Sequence, residues 1–287
     1  MDVIWFKDID EQIKNEVGLK AVKLAFLKKN LINVPDGFVI SSSFFQKYLE
    51  QTGLKEKIKN VIDQTSCDFA AITVQNMIVT TPMPLDMVTE IRDNYELLGT
   101  NVKKASEIVS SMHDFVAIRG SSVDLENSGN GVKFLNIKGD VVAGILACWA
   151  SLFSYSSIKN GANQDSSLPV IVQKMVKADT AGKCAVNNFV IVKGGYGHNS
   201  FCDSYILDKK SREILTRNIG CQIDKVVDDG RVRVEDFNQK RQKVNDSNLK
   251  EISRVSEKVS NLLGNSQEVS WSMIQDEVFV FGSKKID

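Results

Sequence analysis

Histidine is scarce in this chain, with only His113 and His198 among 287 residues, and no surplus of either charge exists. Lys plus Arg and Asp plus Glu stand at 36 each. That balance argues against a protein whose main task is gripping nucleic acid, because binding a phosphate backbone leaves a basic surplus. The five cysteines (Cys67, Cys148, Cys184, Cys202 and Cys221) are odd in number and never in CxxC spacing. With so few imidazoles they argue against a structural zinc site and read as reduced thiols. No apolar run reaches the length of about 18 residues that a membrane helix needs. The first twenty residues lack the apolar core of a secretory signal. The expectation is a soluble, cytoplasmic protein with neither a nucleic acid nor a membrane as partner.

What is present is an ordinary globular composition, 43% hydrophobic and 25% charged, in a chain long enough for one large domain or two modest lobes. Val17, Val22, Leu24, Ala25 and Leu27 recur at helical spacing, and Asn33-Val-Pro-Asp-Gly37 stops that helix. Phe38 to Ile40 reads as a short strand, followed by a helix capped by Ser41 or Ser42. A further amphipathic helix carries Leu85, Val88, Ile91 and Leu98. Phe115 to Arg119 reads as a strand ending in a Gly- and Ser-rich loop, Phe134 to Ile137 as the next strand, and Val141 to Tyr155 as a strongly apolar helix.

Lys159 to Ser167 is the best linker candidate, and beyond it the pattern turns to strands. These fall at 168–176, 189–192, 204–207, 231–234, 268–274 and 278–281, with one capped helix at 247–263. The expected fold class is α+β, a helix-rich lobe over 1–166 and a strand-rich lobe over 167–287. A cleft between such lobes is where a ligand is expected.

Several short stretches, in order, resemble the ATP-binding domain shared by phosphoenolpyruvate synthase, pyruvate phosphate dikinase and rifampicin phosphotransferase. Val17-Gly-Leu-Lys-Ala21 is similar to its VGGKG, Val34-Pro-Asp-Gly-Phe-Val-Ile40 to VPPGFVI, and Val116-Ala-Ile-Arg-Gly-Ser-Ser122 to VAVRSSA. Phe134-Leu-Asn-Ile137 and Cys148-Trp-Ala-Ser-Leu-Phe153 resemble FLNV and CWASLF. Val172-Gln-Lys-Met-Val176 resembles VQxMV, and Gln267-Glu-Val-Ser-Trp271 resembles QDIEW. The resemblance implies a two-lobed ATP-grasp-like fold that binds ATP and passes its phosphoryl group to a histidine on a separate domain. That domain, and the barrel that makes phosphoenolpyruvate, have no counterpart in these residues. The resemblance therefore implies at most the first half-reaction, with a histidine-bearing phosphocarrier acting in trans.

Phosphoryl transfer is mostly positioning and neutralisation of oxygen charge by Lys, Arg and divalent metal. By resemblance, Lys20 and Arg119 are the catalytic and ATP-binding cations, and Arg119's planar fork suits bidentate phosphate contact. Gln173 and Met175 lie on the strand that passes the adenine. Gly129 and Gly131 stand in the glycine-rich stretch that replaces the family's phosphate cover, where backbone amides can cradle an anion.

Other family positions have changed. The metal-binding glutamate of QDIEW is Ser270, the glutamine of the last strand is Gly282, and its arginine is Lys284, which keeps the charge but not the fork. Gly195-Tyr-Gly-His198 replaces the carboxylate of GLGE with an imidazole. Two residues apart on a strand means one face, so Glu268 is the remaining candidate to reach a magnesium ion, through water. The resemblance thus implies ATP as ligand, and magnesium only with a weakened donor set. Three readings stay open: an active phosphotransferase-like domain, a non-catalytic nucleotide-binding regulatory module, and a scaffold that has lost the ligand.

Overall fold

The computed structural model describes residues 2–100, 115–122, 133–198, 201–227 and 230–286. It mixes helices and sheets, as α+β implies, and divides into two compact units. The first comprises Met1–Ala25 with Asp36–Met175, the second Phe26–Pro35 with Val176–Asp287.

The first unit contains β1 (Val3–Trp5), most of α1 (Lys14–Lys29), β2 (Gly37–Ile40), α2 (Ser42–Gln51), α3 (Leu54–Gln64), α4 (Cys67–Thr80) and α5 (Leu85–Thr100). It continues with β3 (Val116–Gly120), β4 (Lys133–Ile137), α6 (Val141–Ser151), α7 (Tyr155–Lys159) and β5 (Val170–Lys174). Its strands form one antiparallel sheet in the order β1-β2-β5-β3-β4. Alternate side chains of the central strands, Phe38, Ile40, Val116, Ile118, Val170 and Val172, join the core made by α2 to α6. Trp149 of α6 sits at its middle, with its ring 4.8 Å from Phe45 and 5.3 Å from Tyr48. Its indole N–H donates to the Leu168 carbonyl at 3.2 Å, so even this large side chain buries no unmet donor. Gly144 lets α6 approach β3, since a Cβ there would press on the Ile118 side chain.

The opposite face of the same sheet carries Val39, Ala117, Arg119, Ile171 and Gln173, by the strand alternation and the cross-strand register. This is the face that matters for the site. One expected element divides: the apolar helix from Val141 ends at Ser151, and α7 begins afresh because the Ser154 hydroxyl accepts from the Ser157 N–H at 3.2 Å.

The second unit holds β6 (Thr180–Val186), β7 (Phe189–Tyr196), β8 (Asp203–Asp208), β9 (Ile214–Asn218), the hairpin of β10 (Asp224–Val227) and β11 (Gly230–Arg233), α8 (Asp246–Leu263), β12 (Gln267–Ile274) and β13 (Glu277–Lys285). Six strands form an antiparallel sheet in the order β13-β12-β6-β7-β8-β9. One face, with Cys184, Val192, Val269, Trp271 and Val280, is buried and packs against α8 through Leu249, Ile252, Val255 and Val259. Asn245 caps α8 by accepting from the Asn248 N–H at 2.8 Å, and Gly264 ends it in the left-handed region at φ 73°. Residues 26–35 join this unit partly through the Val280 N–H, which donates to the Asn33 carbonyl at 2.8 Å.

Within the second unit, Lys243 and Asp203 form an ion pair at 3.0 Å with both side chains at 0% exposure. The Asp203 carboxylate also accepts from the Tyr205 hydroxyl at 2.7 Å, the Gly220 N–H at 3.1 Å and the Lys243 N–H at 2.9 Å. The Lys243 ammonium donates in addition to the Gly220 carbonyl. Among the described residues no helix is long and apolar enough to cross a membrane, and the five cysteines are free thiols.

Candidate functional site

Gly18 interrupts α1 with φ 76° and ψ 159°, a conformation that a side chain strains, and a Cβ there would collide with the Ser121 carbonyl oxygen. This kink lets the helix start again against the end of β3. The Leu19 N–H donates to the Ser122 carbonyl at 3.1 Å, and the Ala21 N–H to the Ser121 hydroxyl at 3.2 Å. Ser121, fully buried, in turn donates its own N–H to Pro169 at 2.8 Å. Three segments far apart in sequence are thereby tied at one point.

The tie sets Lys20 beside Arg119. The Lys20 ammonium donates to the Gly120 carbonyl at 3.4 Å, and its side chain stays open to solvent. Crowding of the amine by protein atoms, and next the charge of Arg119, hold its pKa below the ordinary lysine value. Arg119 is half-buried and donates Nη2–H to the Gln173 amide oxygen at 2.6 Å. Burial lowers its pKa to about 10. Cys148, behind Gly120 on α6, is buried and its thiol is pushed up to about 12, so it stays a neutral thiol rather than a nucleophile.

Gln173 is fully buried on β5. Met175 lies just beyond that strand, half-buried, its N–H donating to the Phe115 carbonyl at 2.8 Å. The structure thus brings Lys20, Arg119 and Gln173 together around Gly120. Gly129 and Gly131 lie outside the described residues.

The remaining candidates belong to the second unit. Glu268 on β12 stands opposite Lys284 on β13, and Ser270 opposite Gly282. On the other side, β6 sets Ala185 against Glu268 and Lys183 against Ser270. The face shared by these residues is the one turned away from α8. Here Lys183 donates to the Glu268 carboxylate at 2.6 Å, with 44% and 32% of the two side chains exposed. The sequence reading had no place for Lys183, although a lone charge in the apolar stretch Thr180–Val186 was its available signal. The half-buried His198 sits near the β10 hairpin, its N–H donating to the Val226 carbonyl at 2.9 Å.

A magnesium ion needs hard oxygen donors free to face it. Around Glu268 the neighbours are an ammonium, a hydroxyl and a glycine, and the carboxylate is already paired with Lys183. Among the described residues no cluster of three or more Asp, Glu, His or Cys side chains is arranged to hold a metal ion. These donors do not fit magnesium.

The sequence profile of the family described as pyruvate phosphate dikinase, AMP/ATP-binding domain, matches residues 14–284. A probable phosphoenolpyruvate synthase of Methanothermobacter thermautotrophicus is 27% identical, over 99% of this chain and 46% of its own length. A probable phosphoenolpyruvate synthase of Archaeoglobus fulgidus is likewise 27% identical, over 100% of this chain and 42% of its own. The phosphoenolpyruvate synthase of Helicobacter pylori is 30% identical over 78% of this chain and 32% of its own. The chain therefore spans less than half the length of these relatives.

Proposed function

The chain belongs to the pyruvate phosphate dikinase AMP/ATP-binding domain family, and from that premise we propose that it binds ATP through Lys20 and Arg119 with little help from a divalent metal. The observation that carries this is the tie at Gly18 and Ser121, which sets an ammonium and a guanidinium side by side against neutral oxygens, those of Gly120 and Gln173. Two neighbouring cations repel each other, and an anionic ligand relieves that repulsion. Together with the backbone around Gly129 and Gly131, they would take the polyphosphate, in the ATP-grasp-like manner the family implies. Met175 would lie beside the base. Lys284 is the further candidate cation, and Glu268, engaged by Lys183, is assigned no metal.

A thermal-shift series tests this, with ATP, ADP and AMP in the presence and absence of magnesium. At 100 times its dissociation constant a ligand adds about 2.7 kcal/mol of stability. ATP is expected to raise the melting temperature with little dependence on magnesium, and Lys20→Ala to abolish the rise. Absence of any shift at millimolar nucleotide, with the protein folded, would favour a scaffold instead.

A second reading follows from the relatives named phosphoenolpyruvate synthase, which extend well beyond the matched region. In it the bound ATP phosphorylates a histidine on a separate phosphocarrier, and transfer of labelled γ-phosphate to such a protein, lost in Lys20→Ala, would establish it.

A further inference from the structure

We propose that the second unit carries a site for a short aliphatic ammonium compound, in a cavity on the α8 side of its sheet. Thr180 of β6 stands opposite Tyr196 on one neighbouring strand and Met273 on the other. By strand alternation all three share the face of Cys184, Val192 and Trp271, which packs against α8, while Lys183 and Glu268 lie on the reverse. Where α8 starts, at Asp246, this row borders a cavity of about 250 Å³. At about 30 Å³ for a water, that is room for roughly eight non-hydrogen atoms. Asp179 and Asp276 line it as well. The Gln275 N–H donates to the Asp179 carboxylate at 3.2 Å, which ties the β12–β13 turn to the start of β6.

The lining selects by charge. Asp276 is exposed, and among the described residues its side chain has neither a hydrogen bond nor an ion pair. The lysine on the lining, Lys243, is 0% exposed and already neutralised by Asp203. The leading end of α8, capped by Asn245, adds about half a positive elementary charge against the two carboxylates. That balance favours a cation.

A second, independent feature points into the same space. Thr180 is 7% exposed, and its hydroxyl has no hydrogen-bond partner among the described residues. Leaving such a group without a partner is costly, and a ligand N–H or O–H supplies the missing bond. Met273 and the Tyr196 ring offer carbon surface to a short alkyl chain, and an aromatic face also attracts an ammonium group. Burial, and next the carboxylate of Asp203, raise the pKa of Tyr196, so its ring stays a neutral phenol. The ligand is therefore an ammonium group on a few carbons with a second donor for Thr180. Nothing in this site involves Lys20 or Arg119, so it stands apart from the nucleotide reading.

The test is calorimetric titration of the full chain, at fixed ionic strength, with 1,4-diaminobutane, butane-1,4-diol and succinate. The diamine is expected to bind, the diol about tenfold more weakly, and succinate not at all. Asp276→Asn keeps a residue that tolerates the left-handed turn at φ 68° and should cost the diamine about tenfold. Thr180→Val keeps the side-chain shape and should cost about fivefold. Glu277→Gln, the neighbouring exposed carboxylate outside the cavity, should leave affinity unchanged. Should Thr180→Val fail to fold, monitored by circular dichroism, the contrast between Asp276→Asn and Glu277→Gln decides alone. Three results would overturn the proposal: no diamine binding at millimolar concentration, equal binding of the diol or succinate, or equal losses in Asp276→Asn and Glu277→Gln.

Discussion

In the first unit, Arg119 is held by the amide oxygen of Gln173 and Lys20 by the carbonyl of Gly120; in the second, Lys183 is held by the carboxylate of Glu268 and Lys243 by that of Asp203. All four are cations on or beside an antiparallel sheet. A neutral oxygen orients a cation and leaves its charge in place, while a carboxylate orients it and spends the charge within the protein. The kind of partner, more than the presence of Lys or Arg, decides which surface can receive an anion. Gly120 and Gln173 orient Lys20 and Arg119 without adding a negative charge, and desolvation holds both cations below their ordinary pKa values. In the second unit Lys183 and Lys243 are turned to structure.

The hardest blow to that contrast comes from Asp203→Ala, which strands the Lys243 ammonium in a fully buried setting and frees the Tyr205 hydroxyl and Gly220 N–H as well. Breaking a buried pair from one side costs about 3–5 kcal/mol. Urea unfolding should show a loss of that size; less than about 1 kcal/mol would mean that water or a rearranged lysine rescues the charge.

A subtler change is Lys20→Met. Crowding of the otherwise exposed side chain's amine by protein atoms, followed by the field of Arg119, depresses the folded-state pKa below the ordinary lysine value of 10.5. Within the window between the two values the unfolded chain holds a proton that the folded chain has released, so stability of the wild type rises with pH there. Below the window the penalty for keeping Lys20 charged is fully present. Lys20→Met should remove this slope and be the more stable protein at neutral pH, yet bind ATP about tenfold or more weakly. Urea midpoints and ATP titrations from neutral pH to about 10.5 check both halves. A variant no more stable than wild type, with the same pH slope, would show that the amine is relaxed in the folded protein.

The smallest effect is expected from Glu268→Gln. The Lys183–Glu268 pair is substantially exposed, and such pairs contribute about 0–1 kcal/mol. Unfolding should shift by no more than that. Freed from its carboxylate, Lys183 should let phosphate or ATP bind more tightly to the second unit. No gain in phosphate affinity would show that the lost partner was not what kept that face from binding anions.

Much of this architecture was legible in the sequence, and the failures follow the physics of each element. Long, capped or strongly periodic segments such as Asp246–Leu263 and Leu85–Thr100 declared themselves. So did the apolar strand cores around Phe38 and Val172, which are buried on both faces. Two helices, Leu54–Gln64 and Cys67–Thr80, did not. The first does show a stripe, Leu54, Ile58, Val61 and Ile62 at helical spacing, which the reading passed over; the second is apolar nearly all round, with Phe69, Ile72 and Val79 exposed, and shows none.

Thr180–Val186 escaped because Gly182 and Lys183 break its alternation. Within the site, Lys20, Arg119 and Gln173 were visible only as matches to a family pattern. Their meeting at Gly120 depends on contacts across 100 and 54 residues, which no local signal encodes. Ser121 was seen as part of a motif, while its work of tying Ala21 and Pro169 to one point needed the fold.

The break at Gly18 has an electrostatic consequence of its own. A single uninterrupted run from residue 14 to residue 29 would have its positive pole at the first turn, near Lys14. Broken where it is, the second run begins at Leu19, and a helix that starts there gathers about half an elementary charge at its own leading end, one residue from the Lys20 side chain. One residue without a side chain thus moves a pole of the backbone by more than a helical turn and adds it to the field of two side chains.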